Sequence, residues 1–188
     1  MHTALHNYLS DTNIFTSFAL MRNRFNIWMF ILVISLTACK ESSTKAKIEQ
    51  MPKNLVDRIH LEDLQGNEIT LGSLAGKTIF LNFWATWCRP CLAEMPDIDK
   101  AAKLLSEDNY IFLAASDESL EKIKIFADKN DYSFQFVHSI TSVFDLDISA
   151  LPTTIIINKN GEIVYNKVGA KDWASEFELS ELRKLSKK

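Results

Sequence analysis

The sequence predicts an α/β sandwich in which a central mixed β-sheet is flanked by helices. From about residue 55 onward, apolar β-prone segments alternate with segments of helical periodicity, as in sheets whose parallel strands are joined by helices. Two pairs of short strand-like segments are separated by turn residues and predict hairpins. The chain has 188 residues, of which 47% are hydrophobic and 24% are charged. These values fit one folded domain with an appendage and exclude wholesale disorder.

The first predicted elements are a hairpin, a turn and a buried strand. Residues 59–64 and 68–71 flank a Gln-Gly-Asn turn and predict the N-terminal hairpin. Residues 73–76 predict a turn or a single helical turn. Residues 78–84 are almost entirely apolar, which is typical of a central strand buried on both faces.

A long helix is predicted over residues 90–106, where apolar residues recur at helical spacing. Pro96 lies inside it and predicts a kink. The acidic pair Asp117-Glu118 predicts a cap for the next helix. The remaining predicted elements are a strand over 110–115, a helix from Leu120 to about Asn130, a strand over 134–137, a hairpin of 154–157 with 162–165, and a terminal helix over 172–185.

Residues 21–38 have the pattern of a secretory signal peptide. Arg22 and Arg24 precede an apolar stretch over residues 25–38, which is short beside the span of about 20 residues that a membrane helix needs. The stretch ends in Leu-Thr-Ala-Cys, which resembles a bacterial lipobox. That resemblance implies cleavage before Cys39 and acylation of the Cys39 sulfur. The alternative is an uncleaved anchor helix.

The segments around the signal peptide complete the predicted domain organisation. Met21 stands directly before Arg22, so residues 1–20 are interpreted as an over-extension upstream of the natural start. Residues 39–54 lack apolar periodicity and predict a solvated tether, and residues 55–188 form the folded domain. This organisation predicts an exported membrane lipoprotein that faces the periplasm or the cell exterior.

Charge and cysteine count argue against two broad classes of protein. The net charge is −3, from 21 basic and 24 acidic residues, and only the C-terminal tail is loosely basic. This balance disfavours nucleic-acid binding. The three cysteines, Cys39, Cys88 and Cys91, are too few for a disulfide framework in a domain of this size. Their placement is therefore more informative than their number.

A Cys-x-x-Cys motif, Trp87-Cys88-Arg89-Pro90-Cys91, directly follows the predicted buried strand and opens the long helix. At this spacing two sulfurs can meet across the first helical turn. The partial positive charge of a helix N-terminus stabilises a thiolate at Cys88, and Pro90 suits the first turn, where a missing N–H costs nothing. The motif predicts Cys88 as the nucleophile and Cys91 as the resolving thiol.

Two other uses of this cysteine pair are weaker. A structural zinc site needs four Cys or His ligands, and the domain adds only the isolated His60 and His138, so no metal is expected. A purely structural bridge would close too short a loop to constrain the unfolded chain much. Redox catalysis by Cys88 and Cys91 is favoured, with no cofactor beyond the pair itself.

The sequence around the motif resembles a known family. Residues 80–91 are similar to a thioredoxin-family active site, and residues 92–96 extend the match to Cys-x-x-Cys-x-x-Glu-x-Pro. This pattern resembles the TlpA/ResA-like membrane-tethered thiol–disulfide oxidoreductases, over about residues 55–186. The resemblance implies a thioredoxin-like sandwich with an N-terminal β-hairpin and a helix–strand insertion, here over residues 120–137.

The resemblance also implies a substrate groove. Pro152 matches the cis-proline of that fold, which faces the cysteine pair, and the residue before it, Leu151, pairs with the substrate in β fashion. Trp87 borders the groove, as do Arg89 and Pro90 between the cysteines, where a cation favours the thiolate. The alternative for Pro152 is an ordinary trans proline that opens a strand.

Glu94 is a candidate proton acceptor. Thioredoxin has a buried acid six residues before its first cysteine, and here Asn82 occupies that place. Glu94 follows Cys91 by three residues and lies one turn further along the same helix face; in the TlpA/ResA-like group a glutamate here lies close to the cysteines. A partly buried carboxylate with a raised pKa could take the proton of Cys91. The alternative is an acid that faces water.

These features predict a monomeric, lipid-anchored thiol–disulfide oxidoreductase that acts as a reductant. Its expected partners are disulfide-containing envelope proteins, with apocytochrome c compatible, and an upstream membrane dithiol donor. One alternative is a peroxiredoxin of the AhpC/TSA type, whose cysteine lies in a Pro-x-x-x-Thr-x-x-Cys context; Leu81 and Ala85 occupy those places before Cys88. The other is a non-catalytic docking lipoprotein, which the intact pair and Pro152 argue against.

Overall fold

The computed structural model describes residues 54–188. The predicted signal peptide, the tether and the acylation site Cys39 lie outside these residues and stay predictions. Within the described range, none of the helices has the length and apolar character needed to cross a bilayer.

A mixed seven-stranded sheet forms the centre of the domain, as predicted. The strand order is β2-β1-β5-β4-β3-β6-β7. Strands β3, β4 and β5 are parallel, and the other neighbours pair antiparallel. The strands are β1 (Leu61–Glu62), β2 (Glu68–Ile69), β3 (Thr78–Phe83), β4 (Tyr110–Ser116), β5 (Gln135–Ser139), β6 (Thr153–Ile157) and β7 (Ile163–Val168).

The helices include one that the sequence pattern did not indicate. It is α1 (Leu55–Arg58), which begins where the Asn54 side chain accepts the Asp57 N–H at 3.1 Å. The others are α2 (Arg89–Leu104), which continues through Pro96, α3 (Leu120–Ala127) and α4 (Glu176–Leu185), with a 3-10 turn over Leu71–Leu74.

The N-terminal hairpin is shorter than predicted because a side chain ends its ladder. Asp63 accepts the backbone N–H groups of Gln65 and Asn67 at 2.8 Å each, so only two residues of each strand pair. The terminal helix also begins later than predicted. Its N-cap is Ser175, whose hydroxyl oxygen accepts the Glu178 N–H at 3.4 Å.

The core has two parts, one on each face of the sheet. Strand β3 is buried at all six positions, and its side chains alternate between the two faces. Phe80 points to the cluster that holds both motif cysteines and is covered by α2, α3 and α4. Leu81 and Phe83 point to the opposite cluster, which the N-terminal segment helps to cover. The cysteine motif thus follows a strand that is packed on both faces.

One edge of the sheet gathers the candidate site. The carboxyl ends of β3, β4 and β5 share this edge because the three strands are parallel. Strand β6 runs the other way and begins here, with Thr153 opposite Phe83. The register brings the segment Leu151-Pro152 to the edge at which β3 ends and the cysteine motif begins.

Candidate active site

Cys88 and Cys91 form a disulfide at the N-terminus of α2, with their Cα atoms 5.3 Å apart. Cys88 is the N-cap residue, and its Sγ accepts the Cys91 N–H at 3.3 Å. A sulfur therefore stands where an N-cap oxygen usually lies, within the positive end of the helix dipole. Cys88 is 4% exposed and Cys91 is 0% exposed. Cys88 is thus the more exposed of the two residues, and its role as the nucleophile stays a prediction.

The loop before Cys88 is held by Glu118, which the sequence analysis predicts as part of a helix cap. Glu118 accepts the Thr86 N–H at 2.6 Å through one oxygen and the Thr86 hydroxyl at 2.9 Å through the other. The adjacent Asp117 accepts the Val143 N–H at 2.9 Å. The N-cap of α3 is Ser119, so the prediction of Asp117-Glu118 as a helix cap was wrong: both side chains turn toward neighbouring loops.

The predicted groove residues lie around the disulfide with different exposure. Trp87 is 71% exposed, and Arg89 and Pro90 are also exposed. Leu151 is half-buried and packs against the cluster that holds the cysteines. Pro152 is buried, and the Leu151–Pro152 bond is cis, as the family resemblance implied. The exposed side chain of Trp87 is thus next in sequence to a nearly buried disulfide.

Glu94 faces the protein interior, which excludes the alternative of an acid that faces water. It is 2% exposed. One carboxylate oxygen accepts the Asn82 side-chain N–H at 2.8 Å. The other accepts the Lys171 backbone N–H and the Trp173 indole N–H, each at 3.0 Å. Glu94 therefore links helix α2 to strand β3 and to the loop that precedes α4.

The environment of Glu94 shifts its proton affinity in the direction that the sequence suggested. Burial raises the pKa of the Glu94 carboxyl above its ordinary value, because the ionised form loses its hydration. The hydrogen bonds from Asn82, Lys171 and Trp173 favour the ionised form and offset part of the rise. A carboxyl with a raised pKa on the same helix face as Cys91 is suited to accept and return a proton.

Two residues of this site were missed by the sequence reasoning. Trp173 and Lys171 lie 79 and 77 residues beyond Glu94 in the chain, in a loop with no motif of its own. Asn82 was noted only as the residue that replaces an acid, and here it is a donor to Glu94 and to the Thr154 hydroxyl, at 2.8 and 3.0 Å. Only the fold brings these groups to one place.

Metal chemistry has no side-chain cluster to support it in the described range. Across residues 54–188, no group of three or more His, Cys, Asp or Glu side chains is arranged to hold a metal ion. The same range contains the Cys88–Cys91 disulfide.

Comparison with known proteins gives one family. Residues 45–185 match the sequence profile of the Redoxin family. Thiol-disulfide oxidoreductase ResA of Halalkalibacterium halodurans is 38% identical over 127 residues, which are 66% of this chain and 72% of that protein. The ResA protein of Bacillus thuringiensis is 35% identical over 112 residues, which are 57% of this chain and 64% of that protein.

A solved structure is similar to this chain in fold. The exposed lipoprotein thioredoxin Etrx1 of Streptococcus pneumoniae is 25% identical and superposes with a TM-score of 0.56. The superposition covers 66% of this chain and 96% of the pneumococcal chain. The fold and the sequence profile therefore agree.

Proposed function

The chain belongs to the Redoxin family and is a thiol–disulfide oxidoreductase, and from this premise we propose that it is a lipid-anchored reductase of protein disulfides outside the cytoplasm. The observation that carries the proposal is the Cys88–Cys91 disulfide at the N-terminus of α2, with a buried carboxyl, Glu94, on the same helix. The first half of the reaction needs a stabilised thiolate, and the second half needs a proton acceptor.

In the first step the Cys88 thiolate attacks one sulfur of a substrate disulfide. The substrate S–S bond breaks, its second sulfur leaves as a thiolate, and Cys88 is left in a mixed disulfide. The Cys91 N–H and the end of the helix dipole favour the charged form of the Cys88 sulfur. The positive charge of the exposed Arg89 acts in the same direction.

In the second step Cys91 gives its proton to the Glu94 carboxylate and attacks Cys88 Sγ. The bond between Cys88 and the substrate breaks, the substrate sulfur leaves as a thiolate, and the Cys88–Cys91 disulfide forms. Two electrons have then passed from the cysteine pair to the substrate. Glu94 releases its proton to the departing thiolate or to water, and a dithiol donor in the membrane reduces the pair for the next cycle.

The substrate class follows from the groove. Trp87 offers an exposed apolar surface beside the disulfide, and Leu151 lies next to the cis-proline. We propose that an extended, apolar segment around a substrate disulfide lies between them. Disulfide-bonded envelope proteins, apocytochrome c among them, are the proposed substrates.

The location rests on the sequence before the domain. The lipobox-like Leu-Thr-Ala-Cys ending at Cys39 supports cleavage and acylation at that residue, and the similar pneumococcal chain is itself a lipoprotein. Replacement of Cys39 by alanine should move the protein from the membrane to the soluble envelope fraction. Retention of the Cys39→Ala variant in the membrane, with no lipid label on the wild type, would contradict the anchor.

The activity is tested by reduction of insulin with dithiothreitol as the electron source. Wild-type protein should accelerate insulin precipitation, and Cys88→Ser should remove the acceleration completely. Cys91→Ser, reduced and then freed of dithiothreitol before insulin is added, should instead accumulate a mixed disulfide, which a non-reducing gel resolves. Full activity in Cys88→Ser would overturn the proposal, and efficient turnover of peroxide by the wild type would favour the peroxiredoxin alternative.

A further inference from the structure

The loop between β7 and α4 connects the groove to the buried carboxyl. At its start the Gly169 N–H donates to the Pro152 carbonyl at 2.8 Å. Gly169 has a φ of 105°, in the left-handed region that favours glycine. Two and four residues later, Lys171 and Trp173 donate their backbone and indole N–H groups to Glu94. One short segment thus contacts both the cis-proline and the candidate proton acceptor.

The Trp173 side chain is fixed in place by aromatic neighbours. It is 1% exposed. Its ring packs edge-on against Phe80, with ring centroids 4.9 Å apart, and against Tyr165 at 6.0 Å. The Lys171 ammonium lies 5.5 Å from the centroid of the Trp173 ring. The indole N–H has no freedom to turn away from Glu94 without repacking the core.

The groups around Glu94 are mostly uncharged, so the neutral Trp173 indole N–H is an important partner of its carboxylate. Strands β3 and β6 contribute only the uncharged Asn82 and Thr154 to the site. The Lys171 ammonium is paired with the Glu178 carboxylate at 2.5 Å, so its charge is largely compensated. The charged side chains of α2, β7 and α4 form no hydrogen bond or ion pair with Glu94 among the described residues, so its polar partners there are Asn82, the Lys171 backbone N–H and Trp173.

We propose that Trp173 is a positioning residue for disulfide exchange, whose indole N–H holds the Glu94 carboxylate ionised and aimed for proton transfer. The inference rests on the proposed role of Glu94 as the proton acceptor. A hydrogen bond from a neutral donor to a buried carboxylate stabilises the charged form more than the protonated one. Loss of the indole N–H therefore leaves Glu94 protonated to higher pH, where it cannot take the proton of Cys91.

The first experiment measures the pKa of Glu94 directly, in the oxidised protein, by NMR titration of ¹³C-labelled glutamate side chains. Trp173→Phe keeps an aromatic ring and removes the donor, and should raise the pKa of Glu94 by about one unit. Replacement of Trp173 by 3-benzothienylalanine, which has the shape of tryptophan without its N–H, should do the same and guards against failure of Trp173→Phe to fold.

Trp84→Phe is the matched control. Trp84 is as buried as Trp173, and its indole N–H has no hydrogen-bond partner among the described residues. Its replacement removes a similar volume from the same core cluster and no donor to Glu94. The pKa of Glu94 should stay at its wild-type value in Trp84→Phe. An unchanged pKa in both Trp173 variants, or an equal shift in Trp84→Phe, would overturn the proposal.

The second experiment follows the resolving step with 5,5′-dithiobis(2-nitrobenzoate). Reduced protein releases one thionitrobenzoate when Cys88 attacks and a second when Cys91 resolves the mixed disulfide. The pH midpoint of the second release should rise in Trp173→Phe by the same amount as the pKa of Glu94, and the rates should converge at high pH, where hydroxide takes the proton. Trp84→Phe should keep the wild-type midpoint.

The two experiments separate the inference from the function on which it rests. If Glu94→Gln resolves the mixed disulfide at the wild-type rate, the proposed role of Glu94 is wrong whatever Trp173 does. If Glu94→Gln is slow but Trp173→Phe keeps the wild-type pH midpoint, the positioning role of Trp173 is wrong and the role of Glu94 stands. In a Glu94→Gln background, Trp173→Phe should have no further effect on the pH midpoint.

Discussion

Two carboxylates in this molecule accept hydrogen bonds from similar donors, and yet their pKa values are shifted in opposite directions. Asp63, in the turn of the N-terminal hairpin, accepts the side-chain amide and the backbone N–H of Asn67 and the backbone N–H of Gln65. These bonds, the Asn67 side chain first, lower the pKa of Asp63. Glu94 also accepts an asparagine amide and a backbone N–H, but its pKa is raised.

The difference lies in access to water. Asp63 lies at the surface, where solvent still stabilises its charge, so each donor adds to an already hydrated carboxylate. Glu94 is 2% exposed, and the loss of hydration outweighs the contribution of its donors. Burial sets the sign of the shift, and the donors set how far it goes. Two similar sets of hydrogen bonds thus give a turn-forming residue in one place and a candidate proton acceptor in the other.

The largest expected difference between the two sites is in catalysis. Glu94→Gln removes the titrating group and should slow disulfide exchange near neutral pH by about 100-fold or more, because one proton-transfer group is lost. The effect should shrink at high pH. Asp63→Asn is the matched control and should leave the rate unchanged. Equal rates for Glu94→Gln and the wild type, measured by insulin reduction, would show that the buried carboxyl takes no part.

A second carboxylate should be tolerated at one site and not at the other. Asn82→Asp places an acid next to Glu94, and two buried carboxylates must then share a proton. We expect this variant to lose at least about 1 kcal/mol of unfolding free energy at pH 8, because a buried polar group loses its partner. Asn67→Asp makes the same change beside Asp63, where water screens the charges, and should lower the unfolding free energy less than Asn82→Asp does. Urea denaturation of the oxidised proteins measures both.

The smallest expected effects are in the pH dependence of stability, and they have opposite signs. The raised pKa of Glu94 means that the folded state holds its proton more tightly than the unfolded chain. The stabilisation that this protonated carboxyl gives the folded state is present at pH values below its ordinary pKa of 4.5, and it is lost as the pH rises through the pKa in the folded state. The lowered pKa of Asp63 gives a contribution that is present above 3.8 and is lost as the pH falls through the folded pKa.

The variants Glu94→Gln and Asp63→Asn read out these signs. Relative to Glu94→Gln, the wild type should become less stable as the pH rises above 4.5. Relative to Asp63→Asn, it should become less stable as the pH falls below 3.8. Denaturation curves at a series of pH values provide the test. If the unfolding free energy relative to each variant changed with pH in the same direction, the pKa values of Glu94 and Asp63 would not be shifted in opposite directions, and the explanation by burial would be wrong.

The parts of the fold that were predicted are those that local pattern encodes. The apolar run of β3, the periodicity of α2 and the turn between β6 and β7 each depend on neighbours in the chain. The placement of Cys88 and Cys91 at a strand–helix junction was visible for the same reason. The cis bond before Pro152 came from the family resemblance alone, since a proline before a strand is usually trans.

The parts that escaped prediction depend on contacts between distant segments. Trp173 reaches Glu94 across 79 residues, and Glu118 reaches Thr86 across 32. Such contacts depend on the path that a loop takes over the sheet, and that path cannot be derived from the composition of the loop.

The sulfur cap of α2 couples secondary structure to electron transfer. Cys88 Sγ accepts the Cys91 N–H in the oxidised protein, and a thiolate at the same atom is a stronger acceptor than a disulfide sulfur. The first turn of the helix is therefore better anchored after reduction than before it. By thermodynamic linkage, each gain in that anchoring makes the couple more oxidising. Substitutions that fray or tighten this single turn are then a means to tune the driving force of the protein without touching either cysteine.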